Sequence, residues 1–179
     1  MAQDKNAEAQ LAGFLAKYTP EISDFAETIR CEMRKLYPAA IELIYDNYNA
    51  LVIGFSPTDH PSEAIFSIVL YPKWVSLFFL QAKGLPDPDK ILCGGGTVAR
   101  HIVLQSAAML HHPAVGALMR EAEAVAKAPF NPKGAHRLII RSISAKQRPR
   151  RPAGEHVSGD AHADARNKRK KASLSASDL

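Results

Sequence analysis

Apolar positions follow two different periods along the chain. Leu11, Phe14, Leu15 and Tyr18 recur at the three- and four-residue spacing of one helix face. Thr19-Pro20 restarts the pattern, with threonine in a capping position and proline in the first turn, where a missing N–H costs nothing. Ile22, Phe25, Ala26, Ile29, Met33 and Leu36 predict the buried stripe of a second helix, which Pro38 ends. The period then shortens. Residues 40–46, 51–55, 64–70 and 74–80 read as strands, joined by Asn47-Tyr48-Asn49, by a turn-rich stretch at 56–61 and by Tyr71-Pro72-Lys73. The last two are apolar on both faces, as expected of central strands under a helix layer.

A glycine- and proline-rich loop over 81–96 leads to a further strand over 98–105, with Val98, Ile102 and Leu104 on one face. His112-Pro113 opens a third helix with the stripe Val115, Leu118, Met119, Ala122, Val125 and Ala126. Residues 137–143 form a last strand. Consecutive strands with tight connections predict an α+β domain over residues 8–144, an antiparallel sheet with helices packed on one face. From Ala145 the apolar pattern stops, and residues 145–179 are expected to form a basic disordered tail.

Charge sharpens that division. The chain carries a net charge of +5, yet residues 1–144 balance 14 basic against 14 acidic side chains, so the whole excess lies in the tail. A neutral domain with a basic tail points to polyanion contact through the tail, at Arg148, Arg150, Arg151, Lys168, Arg169, Lys170 and Lys171. A solubilising tail with no partner fits the same residues. Cys31 and Cys93 form no CxxC pair, and MAQDKNAEAQ contains no apolar leader. The expectation is a cytoplasmic protein with reduced thiols and no membrane partner.

Chemistry-bearing motifs are sparse. Gly94-Gly95-Gly96-Thr97 lacks the lysine of a phosphate loop and runs into a strand, which makes it a flexible turn, with Arg100 placed to hold an anion. The seven histidines show no chelating spacing. Glu21, Asp24 and Glu27 step by three along the second helix and present clustered oxygen ligands of the kind hard cations favour, although helix N-termini attract acids anyway. Asp87 and Asp89, in the proline-rich Leu85-Pro86-Asp87-Pro88-Asp89-Lys90, fit an acid/base pair or a metal clip, with Asx-turn capping the commoner role. Tyr48 and Trp74 are the aromatics best placed to reach a rim. Without a GxSxG motif, a Rossmann fingerprint or a thiol-protease signature, a binding domain is favoured over an enzyme.

The phrases IYDNYNALVIGF, WVSLFFLQAKGLPDP, GGGTVARHI and AKQRPRR, in this order of elements, resemble the YdhG-like domain-of-unknown-function family, placed near frataxin and YjbR-type folds. The resemblance covers residues 8–152. It implies an α+β sandwich and, by way of frataxin-like members, an iron-binding role. The frataxin-type acidic ridge would fall on Glu21, Asp24 and Glu27, with Glu42 and Asp46 on the neighbouring strand. The sequence therefore leads to a non-enzymatic domain binding a small ligand or a metal ion, iron among them, through Tyr48, Trp74, Asp87 and Arg100 or through the carboxylates. The alternative is a nucleic-acid-associated protein acting through its tail.

Overall fold

The computed structural model describes residues 2–152. Helix α1 spans Ala2–Leu15 and α2 spans Pro20–Leu36. Strands β1 (Ile41–Asp46), β2 (Leu51–Ser56), β3 (Phe66–Leu70), β4 (Val75–Phe79) and β5 (Arg100–Leu104) follow, then α3 (Pro113–Ala124) and β6 (Arg137–Ile143). Thr19 holds the N-cap position of α2 with extended backbone, but its side chain closes no capping bond to the helix. His112 caps α3 instead, its Nδ1 accepting from the Ala114 amide at 3.3 Å. No helix among the described residues is long and apolar enough to cross a membrane.

The six strands form one sheet in the order β5-β4-β3-β2-β1-β6. The first five make the expected antiparallel meander. The sheet is nevertheless mixed, because β6 lies parallel to β1. Direction explains this correction. Five alternating strands leave β5 running the same way as β1, and α3 with its following segment returns the chain to the end where β1 begins. A strand entering there can only run parallel to β1, as a helical crossover requires.

The core lies between one sheet face and the three helices. Ile53, Phe55, Phe66, Ile68, Leu77 and Phe79 meet Leu11, Ile29, Met33 and Leu118 in one apolar cluster. The central positions expected for β3 and β4 are the ones they occupy. Phe25 and Ile22 are only partly buried, Leu36 is exposed, and α3 stops before Val125, which stands in solvent. The helical stripe was therefore read too wide at both helix ends.

Two acids face this core. On β1 the side chains of Glu42 and Asp46 point toward the helices, and both residues are 0% exposed. Glu42 accepts from Arg30 Nε and from Arg34 Nε, each at 2.6 Å. Glu8 of α1 binds the other side of the same two guanidiniums at 2.8 and 2.6 Å. His136 Nε2 closes the cluster, 3.2 Å from Glu42 and 3.0 Å from Arg34. Burial by itself would raise the Glu42 carboxyl. The hydrogen bond from His136 and the charges of Arg30 and Arg34 outweigh it and hold Glu42 below the usual carboxylate range. Glu8 is likewise held low against partial burial by both arginines.

A carboxyl held low in the folded state stabilises the fold above its unfolded value, about 4.3 for glutamate, and that stability disappears as pH falls through the folded value. The melting temperature should therefore fall steeply below about pH 4. Glu42→Gln should melt lower at neutral pH, since it takes the charge partner from the buried Arg30 and the half-buried Arg34, and should show a shallower acid slope. Parallel pH profiles for the two proteins, measured by circular dichroism, would contradict this role for Glu42.

Candidate functional site

The residues singled out from sequence divide between opposite ends of the sheet. Pairing of Asp46 with Leu51 and of Leu70 with Val75 puts the β1–β2 and β3–β4 turns at one end, together with the C-terminal end of β6. Tyr48 and Trp74 belong to this turn end. Arg100 pairs with Phe79, which puts Arg100 and the 80–99 loop at the other. Tyr48 and Trp74 therefore share no site with Asp87 and Arg100.

At the loop end Asp87 and Arg100 do meet, on a cleft of about 480 Å³ that also includes Lys83, Gly84 and Thr97. Asp87 is occupied structurally: its two oxygens accept from the Ile91 and Leu92 amides at 3.0 and 2.9 Å. It therefore caps its own loop, as an Asx-type residue between prolines does. Arg100 Nε donates to the Gly96 carbonyl at 2.8 Å and pins the glycine run. Gly94 has φ +102, and a Cβ on Gly96 would lie 2.8 Å from the Ala99 carbonyl oxygen, so glycine is required at both positions.

A second cleft of about 590 Å³ adjoins the first and shares Lys83 with it. Its walls include Pro61, Leu80, Val98 and Val125, with Lys127 at the rim. Val98 and Val125 are 56% and 55% exposed, which is unusual for large aliphatic side chains. Lys83, Lys127 and Arg100 make no ion pair among the described residues. The pair of clefts thus offers apolar walls beside cations whose charge is not otherwise matched. The volumes lie in the range of small-molecule sites.

The carboxylate candidates behave differently. Glu21, Asp24 and Glu27 are exposed on α2. Glu21 is held low by hydrogen bonds from its own backbone N–H and from Thr19, as suits the first turn of a helix. Glu42 and Asp46, the strand half of a frataxin-type ridge, are buried against arginine and lysine. Among the described residues no three His, Cys, Asp or Glu side chains gather as a metal set. Cys31 and Cys93 are free and exposed.

At the turn end the structure corrects the expected start of the tail. Residues 145–152 lie against the domain. The Ser144 amide donates to the Asp46 carbonyl and the Arg148 amide to the Tyr48 carbonyl, both at 2.9 Å. Arg150, expected to be a free phosphate contact, is 4% exposed. Its Nη2 binds Asp46 Oδ1 at 3.0 Å and the Asn47 carbonyl, and its guanidinium lies 5.6 Å from the Tyr18 ring centre. Arg150 Nε and Nη1 have no partner in this buried place, which the Tyr18 face offsets in part. Burial pushes the Tyr18 hydroxyl up to about 12 against the opposing Arg150 charge. That hydroxyl donates to the Leu70 carbonyl at 3.0 Å and accepts from the Leu51 amide at 2.9 Å. Lys17 takes the other Asp46 oxygen at 2.6 Å, and Arg151 reaches the Tyr18 and Ala16 carbonyls. Lys168, Arg169, Lys170 and Lys171 lie outside the described residues. Sequence reading missed the clamp because Asp46 and Arg150 are 104 residues apart; the one local signal was QRPRRP, whose prolines already restrict the chain.

No family model matches the chain, and neither does any curated protein or solved structure.

Removing one partner of a buried ion pair is expensive, but Lys17 still serves Asp46. Arg150→Ala should therefore lose about 2–3 kcal/mol in denaturant unfolding. A chain ending after Pro152 should keep full stability, while one ending after Ser144 should lose at least as much as Arg150→Ala. A loss under about 0.5 kcal/mol for Arg150→Ala, the range of ordinary surface changes, would mean that the clamp does not form.

Proposed function

We propose that this chain is a binding domain without a reaction of its own, and that its ligand is a small organic anion with an apolar body held at the loop end. The observation that carries the reading is the joining of two clefts through Lys83, one walled by the exposed Val98 and Val125, the other bordered by Arg100. Lys83, Lys127 and Arg100 would hold the anionic group, and the valines with Leu80 would cover the apolar part. Unmatched cations next to exposed aliphatic side chains favour a ligand with both characters over a bare ion. Asp87 supports the site indirectly, by holding the loop that carries Lys83. Membership of the YdhG-like family, carried by the sequence phrases, is part of the same proposal. For the iron arm of the sequence expectation, Glu42 and Asp46 are already bound to cations, which leaves only the exposed Glu21, Asp24 and Glu27 of α2.

Anilinonaphthalene sulfonate combines an apolar aromatic body with a fixed negative charge and serves as a probe. Its fluorescence should rise on titration into the native protein. Lys83→Ala should weaken the dye by about fivefold, the worth of one partly screened charge contact. Val125→Asp, at an exposed position that the fold does not need, should weaken it at least as much. Dye binding that neither substitution changes would place any ligand elsewhere and end this reading.

A further inference from the structure

A further cleft, of about 250 Å³, opens between the C-terminal end of α2 and α3. It shares no lining residue with the two loop-end clefts. Three of the residues around it are apolar. Leu110 and Met119 are buried, whereas Leu36 is 40% exposed, an exposed leucine that neither end of the sheet accounts for. The charged residues that line the cleft are one of each sign, Arg120 and Glu123.

Both of those charges are left over. Arg120 and Glu123 stand three apart on α3, a spacing at which opposite charges commonly pair. They pair neither with each other nor with any other described residue. Glu123 Oε1 accepts from the Tyr37 hydroxyl at 2.6 Å, so a neutral donor orients the carboxylate and leaves its charge unmatched. The acid one turn before Leu36, Glu32, is taken by Lys35 at 2.6 Å and by His111 at 3.0 Å, and does not line the cleft. Leu36 and Tyr37 bring the C-terminal end of α2 to the cleft, where the helix dipole favours a cation. Gly116 decides how Arg120 sits. A Cβ there would lie 3.5 Å from Arg120 Nη1, so the guanidinium folds back one turn along α3 over a residue with no side chain. Glycine is unfavourable inside a helix, and no tight packing against the core requires it at this position. Its effect is to leave space open on the cleft.

We infer that this cleft binds a free α-amino acid with an aliphatic or thioether side chain, its carboxylate on the Arg120 guanidinium, its ammonium on the open oxygen of Glu123 and its side chain against Leu36, Leu110 and Met119. A ligand with one charge would leave the opposite protein charge unmatched. A small ion would leave Leu36 uncovered. A zwitterion with a short apolar chain answers both, and the planar guanidinium suits a carboxylate in particular. Size points the same way, since sites for drug-sized ligands run to roughly 300–1,000 Å³ and this one is smaller.

Calorimetric titration of the full-length protein at low salt should show saturable binding of L-leucine and of L-methionine. Isocaproate, which is leucine without the ammonium, and isoamylamine, which is leucine without the carboxylate, should each bind about tenfold more weakly, the worth of one charge-assisted contact. Arg120→Ala, at an exposed position, should weaken L-leucine by a similar factor and remove its advantage over isoamylamine. Glu123→Gln, which still offers an acceptor to Tyr37, should remove the advantage over isocaproate. Gly116→Leu should fill the cleft and abolish binding while melting no lower than the native protein, because leucine is the better helix former. Absence of saturable amino-acid binding at millimolar concentrations would overturn the inference. So would either single-charge analogue binding as tightly as L-leucine, or a folded Gly116→Leu protein that still binds it. Lys83→Ala should leave L-leucine binding unchanged, and Arg120→Ala should leave the dye at the loop end unchanged, so failure of one site is distinguishable from failure of the other.

Discussion

Strand β1 puts two carboxylates on the face that carries the core, and most of the tertiary arrangement answers that constraint. An unpaired carboxylate without solvent would cost far more than a domain of this size can spare. Glu42 and Asp46 are therefore matched, each by cations from distant parts of the chain. Glu42 joins α2 to β1 through Arg30 and Arg34, joins α1 through Glu8 on the same guanidiniums, and draws in the segment before β6 through His136. Asp46 joins the α1–α2 connection through Lys17 and the chain after β6 through Arg150. Such networks add less net stability than their contacts imply, because desolvation offsets much of the attraction. They do decide which elements are allowed to meet, and here they determine where the segment after β6 must lie.

The same matching accounts for where charge remains available. Arg30 and Arg34 of α2, and Lys17 just before it, are consumed by the acids of β1. Among the described residues, the cations that make no ion pair include Lys83, Lys127 and Arg100 at one end of the sheet and Lys73, Lys146 and Arg148 at the other. Leu36 apart, the exposed large apolar side chains among the described residues follow the same division, with Val98 and Val125 at the loop end and Tyr48, Trp74 and Ile143 at the turn end. A domain neutral in total thus presents two cationic, partly apolar surfaces and keeps the pairs around Glu42 and Asp46 inside.

The elements were legible in the sequence because they rest on periodicity and turn chemistry, which are local. Residues 137–143 were placed without error, and β1 to β4 within a residue or two at their ends. The parallel docking of β6 was not legible, since strand direction depends on counting the reversals of the whole sheet. The role of Arg150 was hidden for a related reason. A run of arginine and proline with no apolar period reads as solvated chain, and only a buried acid far away in sequence converts it into a clamp. Glu42 and Asp46 were misread in the other direction, as members of an acidic ridge, because spacing along β1 does not reveal which cations the helices bring to them. Asp87 and Arg100 were found from loop chemistry and do share a cleft, whereas nothing local could show that Lys83 and Lys127 join them.

The clamp is the most direct consequence of burying Asp46, and hydrogen exchange reads it amide by amide. The Arg148 amide, bonded to the Tyr48 carbonyl at 2.9 Å, should be protected in the native protein. In Asp46→Asn that protection should collapse, while amides of β3 and β4 keep theirs. Random-coil exchange at Arg148 in the native protein, or protection there that survives Asp46→Asn, would contradict the claim that the buried acids of β1 organise this fold.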